Sequence, residues 1–141
     1  MKFAMSKRLV VIALSAVSML AVADAAYGQV RVGGWSLRAN GQVAKDFQYT
    51  GPCPVDLKFG WGLISPHPTT AAYSFQRSDG GHTSNQRETF MPQASKSVPI
   101  YYDWRLGANT PRFANFTGWV ELRIESPNAD TKRVNFTLHC Q

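Results

Sequence analysis

Beyond its first 25 residues, this 141-residue chain has no window where apolar residues recur at i, i+3, i+4 and i+7 long enough to hold a helix. Helical bundles are thereby excluded, and the chain reads as all-β. Catalytic equipment is equally scarce. No Gly-x-Ser-x-Gly elbow is present, and there is no helix to receive one. His67, His82 and His139 lie far apart and form no metal-spaced pair, so neither metal nor other cofactor is indicated. The eight acids after residue 25 (Asp46, Asp56, Asp79, Glu88, Asp103, Glu121, Glu125 and Asp130) are spread singly. Glycoside hydrolysis needs two carboxylates facing each other across a cleft, and Glu121 with Glu125 reads more simply as a solvated strand face. Bases are scattered too. Lys132-Arg133 is the one adjacent pair in this portion, which is not the clustered stripe that nucleic acid requires. These absences point to a protein that is not an enzyme and binds no nucleic acid.

One long apolar run does occur, and it opens the chain. Residues 1–8 carry Lys2, Lys7 and Arg8 without an acid, Leu9 to Ala23 is uncharged and mostly apolar, and Ala23-Asp24-Ala25 supplies a small-x-small exit. This is the pattern of a signal peptide at 1–25, cut after Ala25. An uncleaved anchor is the alternative, although a run of about 15 residues is short for a span of about 20. No later segment is apolar enough to cross a bilayer. The expected product is residues 26–141, one domain with 12 bases, eight acids and a net charge of +4, secreted or periplasmic in a bacterium. A chain of that length buries about two-thirds of its unfolded surface.

Export gives the only two cysteines, Cys53 and Cys140, a meaning. An isolated pair in an oxidising compartment usually bridges. Closing the intervening 87 positions stabilises by roughly 4–5 kcal/mol on the chain-entropy model. A nucleophilic cysteine would leave the second one unexplained.

Period-two alternation carries the rest of the chain. Val55, Leu57, Phe59, Trp61 and Leu63 alternate with Asp56, Lys58, Gly60 and Gly62. Val98, Ile100, Tyr102, Trp104 and Leu106 alternate with Pro99, Tyr101, Asp103 and Arg105. Seven strands are expected, at Gln29–Arg38, Val55–Ile64, Ala71–Arg77, Arg87–Met91, Val98–Leu106, Trp119–Glu125 and Lys132–Cys140. Turn-forming Gly, Pro, Asn and Asp cluster between them. Half-buried strands in this number imply a two-sheet antiparallel sandwich, with a small barrel as the competing architecture. Pro99 marks an edge strand or a bulge. Alternating strand directions put Cys53 and Cys140 at the same pole, where a bridge would clasp the rim rather than staple the core.

Trp61 and Trp104 fall on apolar strand faces, whereas Tyr101 and Trp119 fall on the mixed faces and are candidate binding aromatics. Alternatively, Trp119 shields a sheet edge or packs under the loop of residues 109–116. The Gly-rich polar loop Ser78–Arg87 adds Asp79, His82, Asn85 and Arg87 as candidate binding residues, since loops on a rigid frame commonly carry recognition.

Several short motifs follow in order: Tyr49-Thr50-Gly51-Pro52-Cys53-Pro54, Arg77-Ser78-Asp79-Gly80, Asp103-Trp104-Arg105-Leu106, Gly118-Trp119-Val120-Glu121-Leu122, Ser126-Pro127-Asn128 and Phe136-Thr137-Leu138-His139-Cys140. Together they resemble a bacterial secreted immunoglobulin-like domain with the pattern Y-x-G-x-C-P, S-D-G, G-W-V-x-L, S-P-N, F-x-L-x-C. Phe75 stands where that pattern often has Trp. The resemblance implies an exported immunoglobulin-like β-sandwich with Cys53 paired to Cys140, and it brings no catalytic residue with it. The expected function is a non-enzymatic binding module for a protein or envelope component. A carbohydrate-binding protein using exposed aromatics is the alternative, and an inhibitor of a hydrolase is a weaker one.

Overall fold

The computed structural model describes residues 29–90 and 97–141. The expected signal peptide, Tyr27 and Met91 lie outside them. Nine strands are described: β1 (Arg31–Ala39), β2 (Gln42–Val43), β3 (Gln48–Gly51), β4 (Val55–Ile64), β5 (Thr69–Arg77), β6 (Gln86–Phe90), β7 (Val98–Leu106), β8 (Phe116–Ser126) and β9 (Asp130–Cys140). They form a four-stranded sheet ordered β2-β1-β4-β7 and a five-stranded sheet ordered β3-β9-β8-β5-β6. Among the described residues the only helical pieces are two single 3₁₀ turns, Lys45–Phe47 and Pro111–Phe113. The architecture is therefore the two-sheet sandwich and not the barrel.

Seven strands match the alternating runs to within a few residues, and β2 and β3 are additions. β2 has two residues and β3 four, too few to show a period. β3 also pairs with β9 in parallel, Gln48 with Thr137 through Gly51 with Cys140, so no hairpin turn announces it. β7 is an edge strand, which accommodates Pro99.

The alternation works as two-faced strands require. β4 turns Val55, Leu57, Phe59, Trp61 and Leu63 inward, where all five are buried. β7 contributes buried Ile100 and Trp104, with Val98, Tyr102 and Leu106 packed against the core's margin. From the facing sheet come Tyr73, Phe75, Val120, Leu122, Ile124, Val134, Phe136 and Leu138. The interior is an aromatic stack. Phe75 lies 5.3 Å from Trp61 and 5.0 Å from Tyr102, and Phe136 meets Phe59 and Trp104 edge-on at 5.4 and 5.8 Å. The Trp61 indole N–H is buried without a hydrogen-bond partner among the described residues. That costs about 1–3 kcal/mol, offset by burial of the ring.

Three devices close the sandwich. At one pole Cys53 and Cys140 are bonded, with Cα atoms 5.4 Å apart, at the rim and only partly buried. Gly107 (φ +95°) sits directly on the bridge; a Cβ there would lie 2.9 Å from both sulfurs. Along one lateral opening, the Asn128 side chain pairs with the Val30 backbone, accepting from its N–H at 2.7 Å and donating to its carbonyl at 2.8 Å. On that side Lys132 lies 3.6 Å over the Trp35 ring. Along the other opening, the Arg77 guanidinium lies 4.7 Å over Trp104 and donates to the Tyr102 hydroxyl at 3.3 Å.

Candidate binding faces

Two outward faces remain once the inner phase is packed. On the five-stranded sheet, β8 turns Thr117, Trp119, Glu121 and Arg123 outward beside Thr137, Asn135 and Arg133 of β9. The Arg133 guanidinium lies 3.7 Å over the Trp119 ring and donates to Glu121 Oε2 at 3.1 Å. Arg123 holds Glu121 Oε1 at 2.7 Å. Glu121, 9% exposed, thus joins two arginines, one of which is stacked on tryptophan. Trp119 is half-buried and its backbone is fixed to the end of β5: Ser78 N–H donates to the Trp119 carbonyl at 3.0 Å, and Trp119 N–H donates to Ser78 Oγ at 3.1 Å.

Beside Trp119 runs a groove of about 360 Å³, bordered chiefly by Asp46, Phe47, Thr117, Trp119, Asn135 and Thr137. Its origin is topological. β3 covers β9 only from Thr137 to Cys140, so among the described residues that edge has no strand neighbour at Asn135, and the turn Lys45–Phe47 lies beside it. Asp46 (φ +52°) and Phe47 (φ +57°) both take the left-handed conformation there, which is uncommon for residues other than Gly, Asn and Asp. The volume falls within the range of about 300–1,000 Å³ typical of small-molecule sites.

The four-stranded sheet presents a different face. Cross-strand rows bring Ser36, Gly60 and Tyr101 together, then Gly34, Gly62 and Pro99. The result is a shallow trough of about 190 Å³ with a glycine floor. Tyr101 is 55% exposed and its ring covers Gly60, where a Cβ would lie 3.1 Å from the ring. Farther along, Lys58 faces Asp103 at 3.7 Å and Arg105 faces Asp56 at 2.9 Å.

Of the loop candidates only Asp79 is brought near Trp119, through Ser78; Arg87 lies on β6 opposite Ala72, across β5 from β8 and well along the sheet from Trp119. Asp79 is fully engaged: Arg77 Nε and Nη2 donate to its two oxygens at 2.9 Å each, and Gly81 N–H donates at 2.9 Å. Partial burial opposes ionisation of Asp79. The Gly81 N–H and the Arg77 guanidinium outweigh it and hold the carboxyl below its ordinary pKa. Asp79 therefore shapes the turn. His82 bridges to Gln76 through the backbone, and the side chains of His82, Asn85 and Arg87 are exposed. Tyr101 stands on the other sheet's outer face, so Tyr101 and Trp119 do not form one platform. Asp46, Phe47 and Asn135 are groove residues that the sequence reading passed over. The nearest signal is Lys45-Asp46-Phe47 lying between strands, which does not reveal Trp119 and Asn135, 73 and 89 positions beyond Asp46, as its neighbours.

No protein-family model matches the chain, and no curated protein matches it. Among solved structures it is similar to a CARDB domain from Pyrococcus furiosus determined in complex with di-metal ions. The TM-score is 0.51 at 5% identity, covering 82% of this chain and 97% of that one. It is also similar to the C-terminal domain of Wzt, at TM-score 0.43 and 8% identity, covering 82% and 76%. The CARDB likeness shows the fold, an immunoglobulin-like β-sandwich. Among the described residues no three His, Cys, Asp or Glu side chains gather as a metal site would require.

Proposed function

We propose that the protein is an exported, non-enzymatic binding module that recognises an envelope component with the outer face of its five-stranded sheet. The observation that carries this reading is the groove at Trp119: an aromatic ring bordered by an amide and two hydroxyls on β8 and β9 and by a carboxylate on the Lys45–Phe47 turn. Trp119 is preorganised by Arg133 above its ring and Ser78 on its backbone, which reduces the ordering cost of binding. The groove's lining supplies one carboxylate and two threonine hydroxyls but no histidine or second acid to act as a base. The exposed residues His82, Asn85 and Arg87, on the far side of β5 from the groove, are the module's secondary contacts for a ligand that extends beyond it. Cleavage after Ala25 and export of residues 26–141 belong to the same proposal, as does kinship with the secreted domains that the sequence resembles.

The test is capture from the native envelope by the exported protein. Asn135→Ala together with Thr137→Ala should abolish capture with little change in thermal unfolding. The triple change His82→Ala, Asn85→Ala, Arg87→Ala should only weaken it. Capture that survives the groove variant but fails with the triple variant would move the site to the loop.

A further inference from the structure

Resting on the Trp119 groove as the binding site, we infer that its ligand is a neutral sugar ring within a polysaccharide. The groove's charge and hydrogen-bonding inventory decides the class. No basic side chain borders it, and Arg133, the guanidinium stacked on Trp119, is already committed to Glu121 through Nε and Nη2. An anionic ligand would thus meet Asp46 with no cation to offset it. A cationic ligand would find the cation–π position over the Trp119 indole already taken by the Arg133 guanidinium at 3.7 Å. A wholly apolar ligand would strip water from Asp46, Asn135, Thr117 and Thr137 without replacing its hydrogen bonds.

A pyranose ring meets each of these demands. Its C–H face packs on the part of the indole that borders the groove. Its hydroxyls are donors and acceptors at once, which suits Asn135, whose amide does both, and the threonine hydroxyls. Asp46 is the specificity-determining residue. Among the described residues it makes no ion pair or hydrogen bond, although Lys45 precedes it, and its carboxylate is free to accept two hydroxyl donors. The groove lies open on an outer face, so it accommodates one residue of a chain that continues past both ends.

The experiment follows the Trp119 indole N–H resonance in ¹⁵N-labelled exported protein, identified by its loss in Trp119→Phe. The probes are glucose and N-acetylglucosamine oligosaccharides, mannan and dextran. As controls, heparin supplies a polyanion and polylysine a polycation. The expected result is a saturable shift with a neutral saccharide that persists at high salt. In Asp46→Asn it should weaken about tenfold, the loss of one charge-assisted hydrogen bond. Asn tolerates the left-handed backbone at that position, so the variant changes charge and not fold. A shift with heparin or polylysine alone, or no shift with any saccharide, would overturn the sugar assignment while leaving the groove as a site for another envelope component. Envelope capture unaffected by Asn135→Ala with Thr137→Ala would overturn the groove itself.

Discussion

The two outer faces of this sandwich obey the same alternation and come out unlike each other. On the four-stranded sheet the outward phase is Gly60, Gly62, Gly34 and Ser36, followed by exposed ion pairs; Asp56 and Arg105 leave about two-thirds of their side-chain surface in water, at 64% and 65%. On the five-stranded sheet the outward phase is built upward. Glu121 is left with 12% of its side-chain surface, between two arginines, and Trp119 rises beside it. Pairs in open water contribute about 0–1 kcal/mol. A nearly buried carboxylate cannot lose its partners so cheaply. A solvent-facing strand phase is therefore not one kind of surface: where the carboxylate is covered, its arginine partners are held in place, one of them over Trp119.

The largest effect should contrast the two phases of one strand. Trp104→Ala removes a ring packed against Phe136 and covered by Arg77, and should cost about 3–5 kcal/mol. Tyr101→Ala, on the outward phase of the same strand, should cost under about 1 kcal/mol, the scale of a cross-strand surface contact. Urea unfolding of both variants measures the difference. Equal losses would mean that the register is wrong, because a one-residue slip exchanges the faces.

Next comes the contrast between the faces. Glu121→Ala leaves Arg123 and Arg133 without their shared acceptor and frees Arg133 from its position on Trp119; a loss of about 1–3 kcal/mol is expected. Asp56→Ala should cost no more than about 1 kcal/mol. If the two variants unfold at the same urea concentration, the covered network contributes nothing special and the comparison between faces fails.

A pH series probes the lateral closure that joins the sheets. The folded-state pKa of Asp79 is depressed, so its contribution is present above the unfolded value of about 3.9 and lost as pH falls through the folded value. The stability gap between wild type and Asp79→Asn, read from chemical unfolding, should be widest at neutral pH and close on acidification. A gap independent of pH would show that the Arg77–Asp79 contact acts through shape and not charge.

What the sequence disclosed and what it hid divide along the same line. Inward residues such as Val55, Leu57 and Phe59 are legible because every second position repeats the demand. Cys53 and Cys140 are legible because alternating strand directions bring them to one pole. The outward phase of Trp119 and Tyr101 is legible too, but the sheet each belongs to is not; it follows from strand order, β8 lying between β9 and β5, and β7 beside β4. Asp79 looks like a free loop acid until Arg77, two residues earlier, is seen to turn back and hold it. The groove needs Asp46 and Asn135, 89 positions apart, and rests on a four-residue parallel strand with no periodic signature.

The smallest effect is the most pointed test of the glycine face. A Cβ on Gly60 would lie 2.9 Å from Ser36 Oγ and 3.1 Å from the Tyr101 ring, both side chains that can move, and no backbone atom is among its near neighbours. In wild type, Gly60→Ala must displace the Tyr101 ring, and a net loss of a few tenths of a kcal/mol up to about 1 is expected. In a Tyr101→Ala background, Ser36 Oγ alone remains of the three nearest atoms to the new methyl. The lower entropy of an unfolded alanine should then appear as a gain, about 0.4–1 kcal/mol where the backbone is compatible. The sign of the substitution should therefore reverse between the two backgrounds, and a double-mutant cycle in urea resolves it. The same loss in both backgrounds would mean that Tyr101 does not rest on Gly60, and that the trough is shaped by something other than the ring lying across it.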